Sequence, residues 1–169
     1  MKFPHLTYAT ADHPRWKQLT IRSISLLSGS KYFAPYYEHW RDDIVPKGGP
    51  IIGPSLDLIN IDLLVRSGSF PPALDPAAPL IVVANHPYGI LDGLGTISMV
   101  ERLGRPFKVL INNDLLRAPE IRPYSLPIDF SPTRAAQALN IETRRQALRH
   151  LSEGTTIVVF PAGGVATSP

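Results

Sequence analysis

From about residue 55 onward the chain switches repeatedly between two hydrophobic periods, and this switching restricts its fold more than any other feature. "PLIVVA" at 79 to 84 is a continuous apolar run, as in a strand covered on both faces. A helical stretch from 92 to 103 follows, with Leu94, Ile97, Val100 and Leu103 on one face and Gly104 placed to end it. "PFKVLIN" and "SLPIDF" at 125 to 130 read as further strands. Asn140 reads as the cap of a helix running to Glu153, with Ile141, Ala147, Leu148 and Leu151 inward and Gly154 as its stop, and "TTIVVF" closes the set. Upstream, Ile59, Ile61, Leu63 and Val65 alternate with Asn60, Asp62, Leu64 and Arg66 in strand fashion, and "SGSFPPALDPAAP" is a turn-rich connection. Strands alternating with helices predict an α/β domain, a layered mixed sheet flanked by helices, over residues 51–169. Ligands of such sheets gather at the carboxyl ends of the strands.

Residues 1–50 read as an N-terminal helical pair. Asp12 and Pro14 start the first helix, Trp16, Leu19, Ser23 and Leu27 share a face, and Gly29 ends it. In the second helix Phe33, Tyr36, Tyr37, Trp40 and Ile44 form an aromatic stripe, which "VPKGGP" stops. The stripe suits packing onto a neighbouring domain. With Lys17, Arg22, Lys31 and Arg41 beside it, it equally suits insertion at a lipid headgroup layer.

Composition narrows the chemistry. The absence of cysteine excludes disulfides, thiolate nucleophiles, sulfur-ligated zinc and iron–sulfur clusters, and sets a reducing compartment as the default. Neither a signal-peptide core nor an apolar run long enough to span a bilayer is present. The net charge of +3 favours anionic partners mildly, but without a Lys/Arg block of the kind that grips nucleic acid. Together with the resemblance described below, this makes a peripheral protein on the cytoplasmic side, at the inner face of the cell membrane, the expectation.

The candidate site lies where the first central strand ends, in "IVVANHPYGILDG". His86 falls in the turn after the strand and Asp92 six positions later, at the start of a helix. A carboxylate that holds one ring nitrogen fixes the tautomer and raises the basicity of the other, so the pair could deprotonate a hydroxyl or amine. A plain reading also stands, with Asp92 as a helix cap and His86 bonded to backbone. Gly89, Gly93 and Gly95 crowd this segment, at a cost to helix stability but with room for a substrate to approach the backbone. Gly163 and Gly164, after the last strand, could present N–H groups to an anion or form an ordinary turn. No metal site is expected, because His86 and Asp92 lack further ligand-spaced partners.

"NHPYGILDG" resembles the first signature block of the glycerolipid acyltransferase superfamily, the 1-acylglycerol-3-phosphate acyltransferases and their relatives, and "VVFPAGG" resembles its "FPEG" block. The nearest pattern is that of the hemolysin-like putative acyltransferases and lyso-ornithine-lipid acyltransferases, which write "NHPxGxxDG" and "FPAG". The resemblance implies transfer of a fatty acyl group from a thioester of acyl carrier protein or coenzyme A to the hydroxyl of a lysolipid at a membrane surface. It implies no cofactor beyond that co-substrate. His86 would be the general base and Asp92 its orienting carboxylate, with Asn85, Gly89, Gly93, Pro161, Gly163 and Gly164 around the substrates.

Two departures qualify what carries over. Five residues separate His86 from Asp92 where most of the superfamily has four, and Ala162 stands where phosphatidic-acid-forming members have Glu. The arginine-bearing middle block has no clear counterpart, and Arg122 and Arg134 are the candidates for its anion ligand. Five residues follow Gly164, so the chain reads as C-terminally truncated relative to the family. The alternative function is a catalytically inactive, membrane-associated binding module of the same fold. Metal-dependent hydrolysis by His86 and Asp92 is a third, weaker reading.

Overall fold

The computed structural model describes residues 30 to 161 apart from His86 and Tyr88, with side chains from Ala34 onward. The expected first helix, the side chain of Phe33, and Ala162, Gly163 and Gly164 lie outside the described residues, as does His86. The chain divides into two compact units between Gly48 and Gly49.

In the first unit, helix α1 (Ser30–His39) runs on as a single π-helical turn, Trp40–Ile44, and a 3-10 turn, Val45–Lys47. Trp40 is buried, and its ring lies 5.7 Å from that of Tyr37, centroid to centroid. Arg41 pairs in bidentate fashion with its neighbour Asp42 at 2.6 and 2.7 Å, in solvent.

The second unit opens with the short helix α2 (Ile52–Leu58), which buries Ile52 and Leu56. Its exposed N–H groups are met by a carboxylate from a distant part of the chain. Glu101 accepts from Ile51 at 2.7 Å, from Ile52 at 3.0 Å and from Gly53 at 2.9 Å. An anion there satisfies orphan donors and opposes the positive end of the helix dipole.

The alternating stretch 59–65 is not a strand. Asn60 adopts φ 56°, its N–H donates to the Asp57 carbonyl and that of Ile61 to the Leu56 carbonyl. These two bonds close the helix as a Schellman motif, and asparagine is among the few non-glycine residues that tolerate the left-handed position. Residues 61–66 then run outside the sheet, and Leu63 abuts Gly95.

Among the described residues four strands form the sheet: β1 (Ile81–Val83), β2 (Phe107–Asn112), β3 (Ser125–Ile128) and β4 (Thr156–Val159). Their order is β1-β4-β2-β3, and all three pairings are parallel. Helix α3 (Ile90–Glu101) joins β1 to β2, two 3-10 turns join β2 to β3, and helix α4 (Arg134–Ser152) joins β3 to β4. The β1→β2 and β3→β4 crossovers run in opposite directions across the sheet, so right-handed connections send α3 and α4 to opposite faces. This is the layered α/β sheet with flanking helices that the periodicity predicts.

Val82, Val158 and Val109 stand opposite one another in register, and with Val100 and Ile97 they form the core under α3. Parallel strands need cover on both faces, but β1 is an edge strand and receives it on one. Ile81 and Val83 project from the other face, 52% and 62% exposed. Among the described residues the apolar run at 79 to 84 is therefore not covered on both sides, contrary to the expectation drawn from it.

Helix α4 begins about two turns before the position expected from Asn140. Thr133 is its cap, accepting from the N–H of Ala136 at 3.1 Å. Asn140 lies inside the helix and brackets the chain after β3, donating to the Asp129 carbonyl at 2.8 Å and accepting from the Asp129 N–H at 2.9 Å. The buried face carries Ala136 and Thr143, whose hydroxyl donates to the Pro127 carbonyl. Ile141 and Leu148, expected inward, point to solvent because the face turned to the sheet is the one that carries Ala136, Asn140 and Thr143.

Candidate active site

The turn between β1 and α3 begins beside the central strand. The Ala84 N–H donates to the Val159 carbonyl at 3.2 Å, so the chain leaves β1 in register with the end of β4. Asn85, exposed, is the next residue. His86 follows and lies outside the described residues. Gly89 then sits at φ 73°, ψ −129°, a combination that side-chain-bearing residues rarely adopt, and α3 starts at Ile90. The Gly89 carbonyl accepts from the Gly93 N–H at 3.3 Å, which fixes the first turn of the helix.

Asp92 is the third residue of α3 and is half-buried. It is not the cap, a position that Gly89 occupies without a side chain. A carboxylate oxygen in the first helical turn can accept from an imidazole N–H. Gly93 spends its N–H on the helix and does not offer it to a ligand. Gly95 faces protein: a Cβ there would make ordinary van der Waals contact with Leu63 Cδ1 at 3.5 Å.

β4 ends at Val159, and Phe160 and the exposed Pro161 continue from its carboxyl end, adjacent to that of β1. Asn85, Gly89, Asp92, Gly93 and Pro161 thus belong to the carboxyl ends of two neighbouring strands. The two candidate arginines do not. Arg122 is on the β2–β3 crossover, where its Nε donates to the Leu116 carbonyl at 2.8 Å. Arg134 opens α4 beyond β3, at the opposite edge of the sheet from β1. Three strand spacings separate these edges, about 14 Å.

Between those edges, a polar cleft of about 360 Å³ opens at the carboxyl ends of β2 and β3, lined by Asn112, Asn113, Asp114, Asp129, Phe130 and Ser131. Hydrogen bonds from Ser131 side chain and backbone hold the Asp129 carboxyl below the usual carboxylate range. Among the described residues no group of three or more His, Asp or Glu side chains is spaced to hold a metal ion.

The sequence reading missed an apolar rim. Ile90 and Leu91, 62% and 50% exposed, stand immediately before Asp92, and Leu64, 75% exposed, follows the Leu63 that abuts α3. Ile90 and Leu91 lie four and three positions before Leu94, in phase with the apolar stripe of α3, so periodicity assigns them to the core and only the structure shows their exposure.

A family model described as Acyltransferase matches residues 68–168, which is more than half of the chain and includes both "NHPYGILDG" and "VVFPAGG". The chain belongs to the acyltransferase family. Comparison with curated proteins and with solved structures gives no match. Among the described residues no helix is long and apolar enough to cross a membrane.

Proposed function

We propose that the protein transfers a fatty acyl group from a thioester of acyl carrier protein or coenzyme A to the hydroxyl of a lysolipid, at the surface of a membrane. The observation that carries this reading is the coincidence of the family match with the sheet: one match spans both motif blocks, and the blocks follow adjacent parallel strands, β1 and β4, at the same end. The apolar rim of Leu64, Ile90 and Leu91 supports a lipid substrate, since exposed aliphatic side chains beside a polar centre suit an acyl chain.

In this reading His86 removes the proton from the acceptor hydroxyl, and Asp92 orients the ring and stabilises the imidazolium. The hydroxyl oxygen attacks the thioester carbonyl, and the tetrahedral intermediate collapses with cleavage of the C–S bond. The thiolate leaves and takes the proton back from the imidazolium. General-base assistance of this kind contributes roughly 10²- to 10⁴-fold in rate. The absence of cysteine from the chain agrees with direct transfer.

The acceptor follows from Ala162, which cannot make the hydrogen bonds of the glutamate that it replaces in phosphatidic-acid-forming relatives. A lysolipid with an amino-acid or other non-glycerophosphate headgroup is the preferred acceptor in this reading. The test compares kcat/KM for lysophosphatidic acid and a lyso-aminolipid with one acyl donor. A tenfold or greater preference for lysophosphatidic acid, about 1.4 kcal/mol in the transition state, overturns the assignment.

A further inference from the structure

The outer face of α4 has a chemistry that neither the core nor the proposed site uses. The helix carries four arginines, Arg134, Arg144, Arg145 and Arg149, against a single carboxylate, Glu142. Glu142 lies between two of them, 3.8 Å from Arg145 and 3.3 Å from Arg149, so the face keeps a net positive charge. Ile141 and Leu148 stand among these arginines, 55% and 59% exposed. They are two helical turns apart, about 10.5 Å along the axis, with Arg144 and Arg145 between them.

We infer that this face docks an acidic helical protein, and that the protein is the carrier which brings the acyl thioester; the second half of the inference rests on the acyl-transfer reading above. Charge complementarity selects the partner. Arginines flanking two aliphatic anchors match a helix that presents carboxylates around a narrow apolar seam, and guanidinium–carboxylate pairs give both steering and register. A bilayer is a poorer fit, because interfacial binding scales with buried apolar area and the apolar side of α4 faces the sheet, leaving two isolated side chains outside. The placement suits delivery. α4 begins beyond the carboxyl end of β3, at the end of the sheet where Asn85 and Pro161 lie. A carrier seated at Ile141 and Leu148 would have to reach back about 10 to 21 Å along the helix as well as across the strands, a task for a flexible prosthetic arm.

The experiment uses the full chain with an acyl-loaded acyl carrier protein, acyl-coenzyme A, and vesicles of phosphatidylcholine and phosphatidylglycerol. Two double variants are compared with wild type, Arg144→Glu/Arg145→Glu and Ile141→Ser/Leu148→Ser, each with an unchanged circular dichroism spectrum. Carrier binding is expected to weaken at least tenfold in both, and its salt dependence to fall in the first. KM for the carrier-borne thioester should rise by the same factor while kcat and turnover of acyl-coenzyme A stay unchanged. Wild-type carrier binding by both variants overturns the inference, and so does loss of vesicle binding alone. If carrier binding depends on these arginines but no thioester is consumed, the docking face stands and the acyl-transfer reading fails. If acyl-coenzyme A is consumed and the carrier does not bind, the reverse holds.

Discussion

Replacing Gly89 by alanine adds one methyl group to the turn between β1 and Asp92 and leaves every functional side chain in place. The native φ of 73° with ψ −129° is a conformation in which a Cβ meets the flanking peptide groups. Holding alanine there costs about 1 to 3 kcal/mol. For a chain of 169 residues, 1 kcal/mol moves Tm by about 2 to 4 °C, so strain of about 2 kcal/mol predicts a loss of roughly 4 to 8 °C. The turn can instead relax at its helical end, where the Gly93 N–H donates to the Gly89 carbonyl at 3.3 Å. Relaxation shifts the segment that carries His86 relative to Asp92, and a displacement of about 1 Å costs on the order of 10²-fold in rate. Thermal unfolding and kcat/KM for thioester consumption, measured together, read both outcomes. Gly104→Ala is the control. Its φ of 66° is also left-handed and its Cβ would meet open space, but it lies at the other end of α3. It should lose about 1 kcal/mol of stability and no activity. A Gly89→Ala protein with wild-type Tm and wild-type kcat/KM would refute the argument that this glycine sets the geometry of the site.

Two further changes test the packing that supports the site. Glu101→Gln removes the charge and one acceptor oxygen from the set that caps α2, and should cost about 2 to 3 kcal/mol, seen as a lower midpoint in urea with unchanged m; an unchanged midpoint means the cap contributes nothing. Thr156→Val removes a buried hydroxyl with no hydrogen-bond partner among the described residues, in the central strand, and should raise stability by about 1 kcal/mol; a fall in Tm would show that the hydroxyl is satisfied.

What the sequence disclosed depended on whether a pattern had one physical cause. The runs at 106 to 112 and 155 to 160 are the strands β2 and β4, because apolar β-formers bounded by Pro106, Gly154 and Pro161 fit little else. The stretch 59–65 misleads because period-two alternation also arises where a short helix ends and an irregular segment packs: Asn60 carries a left-handed turn there, and Leu63 leans on Gly95. Helix α4 was found with the wrong start, because Thr133 and Asn140 are both cap formers and only the tertiary bonds of Asn140 to Asp129 decide between them. The same contacts set the packed face, Ala136, Asn140 and Thr143, whereas apolar character alone puts Ile141 and Leu148 in the core. The exposure of β1 was not legible at all, since strand order is a property of the whole sheet. For the candidate site, the sequence marked two segments that the structure places at the ends of neighbouring strands, β1 and β4, whereas the positions of Arg122 and Arg134, on the β2–β3 crossover and beyond β3, follow only from the strand order.

The central claim is that His86 acts as the base in acyl transfer to a lipid hydroxyl, and the most direct measurement is thiol release from an acyl thioester with and without a lysolipid, for wild type and His86→Ala. The chain contains no cysteine, so colorimetric thiol detection reads the released carrier alone. The account predicts release by wild type only when the acceptor is present, and a loss of about 10²- to 10⁴-fold in His86→Ala with an unchanged melting curve, while Asp92→Asn retains somewhat more. Acceptor-dependent release at near wild-type rate by a folded His86→Ala protein would contradict it.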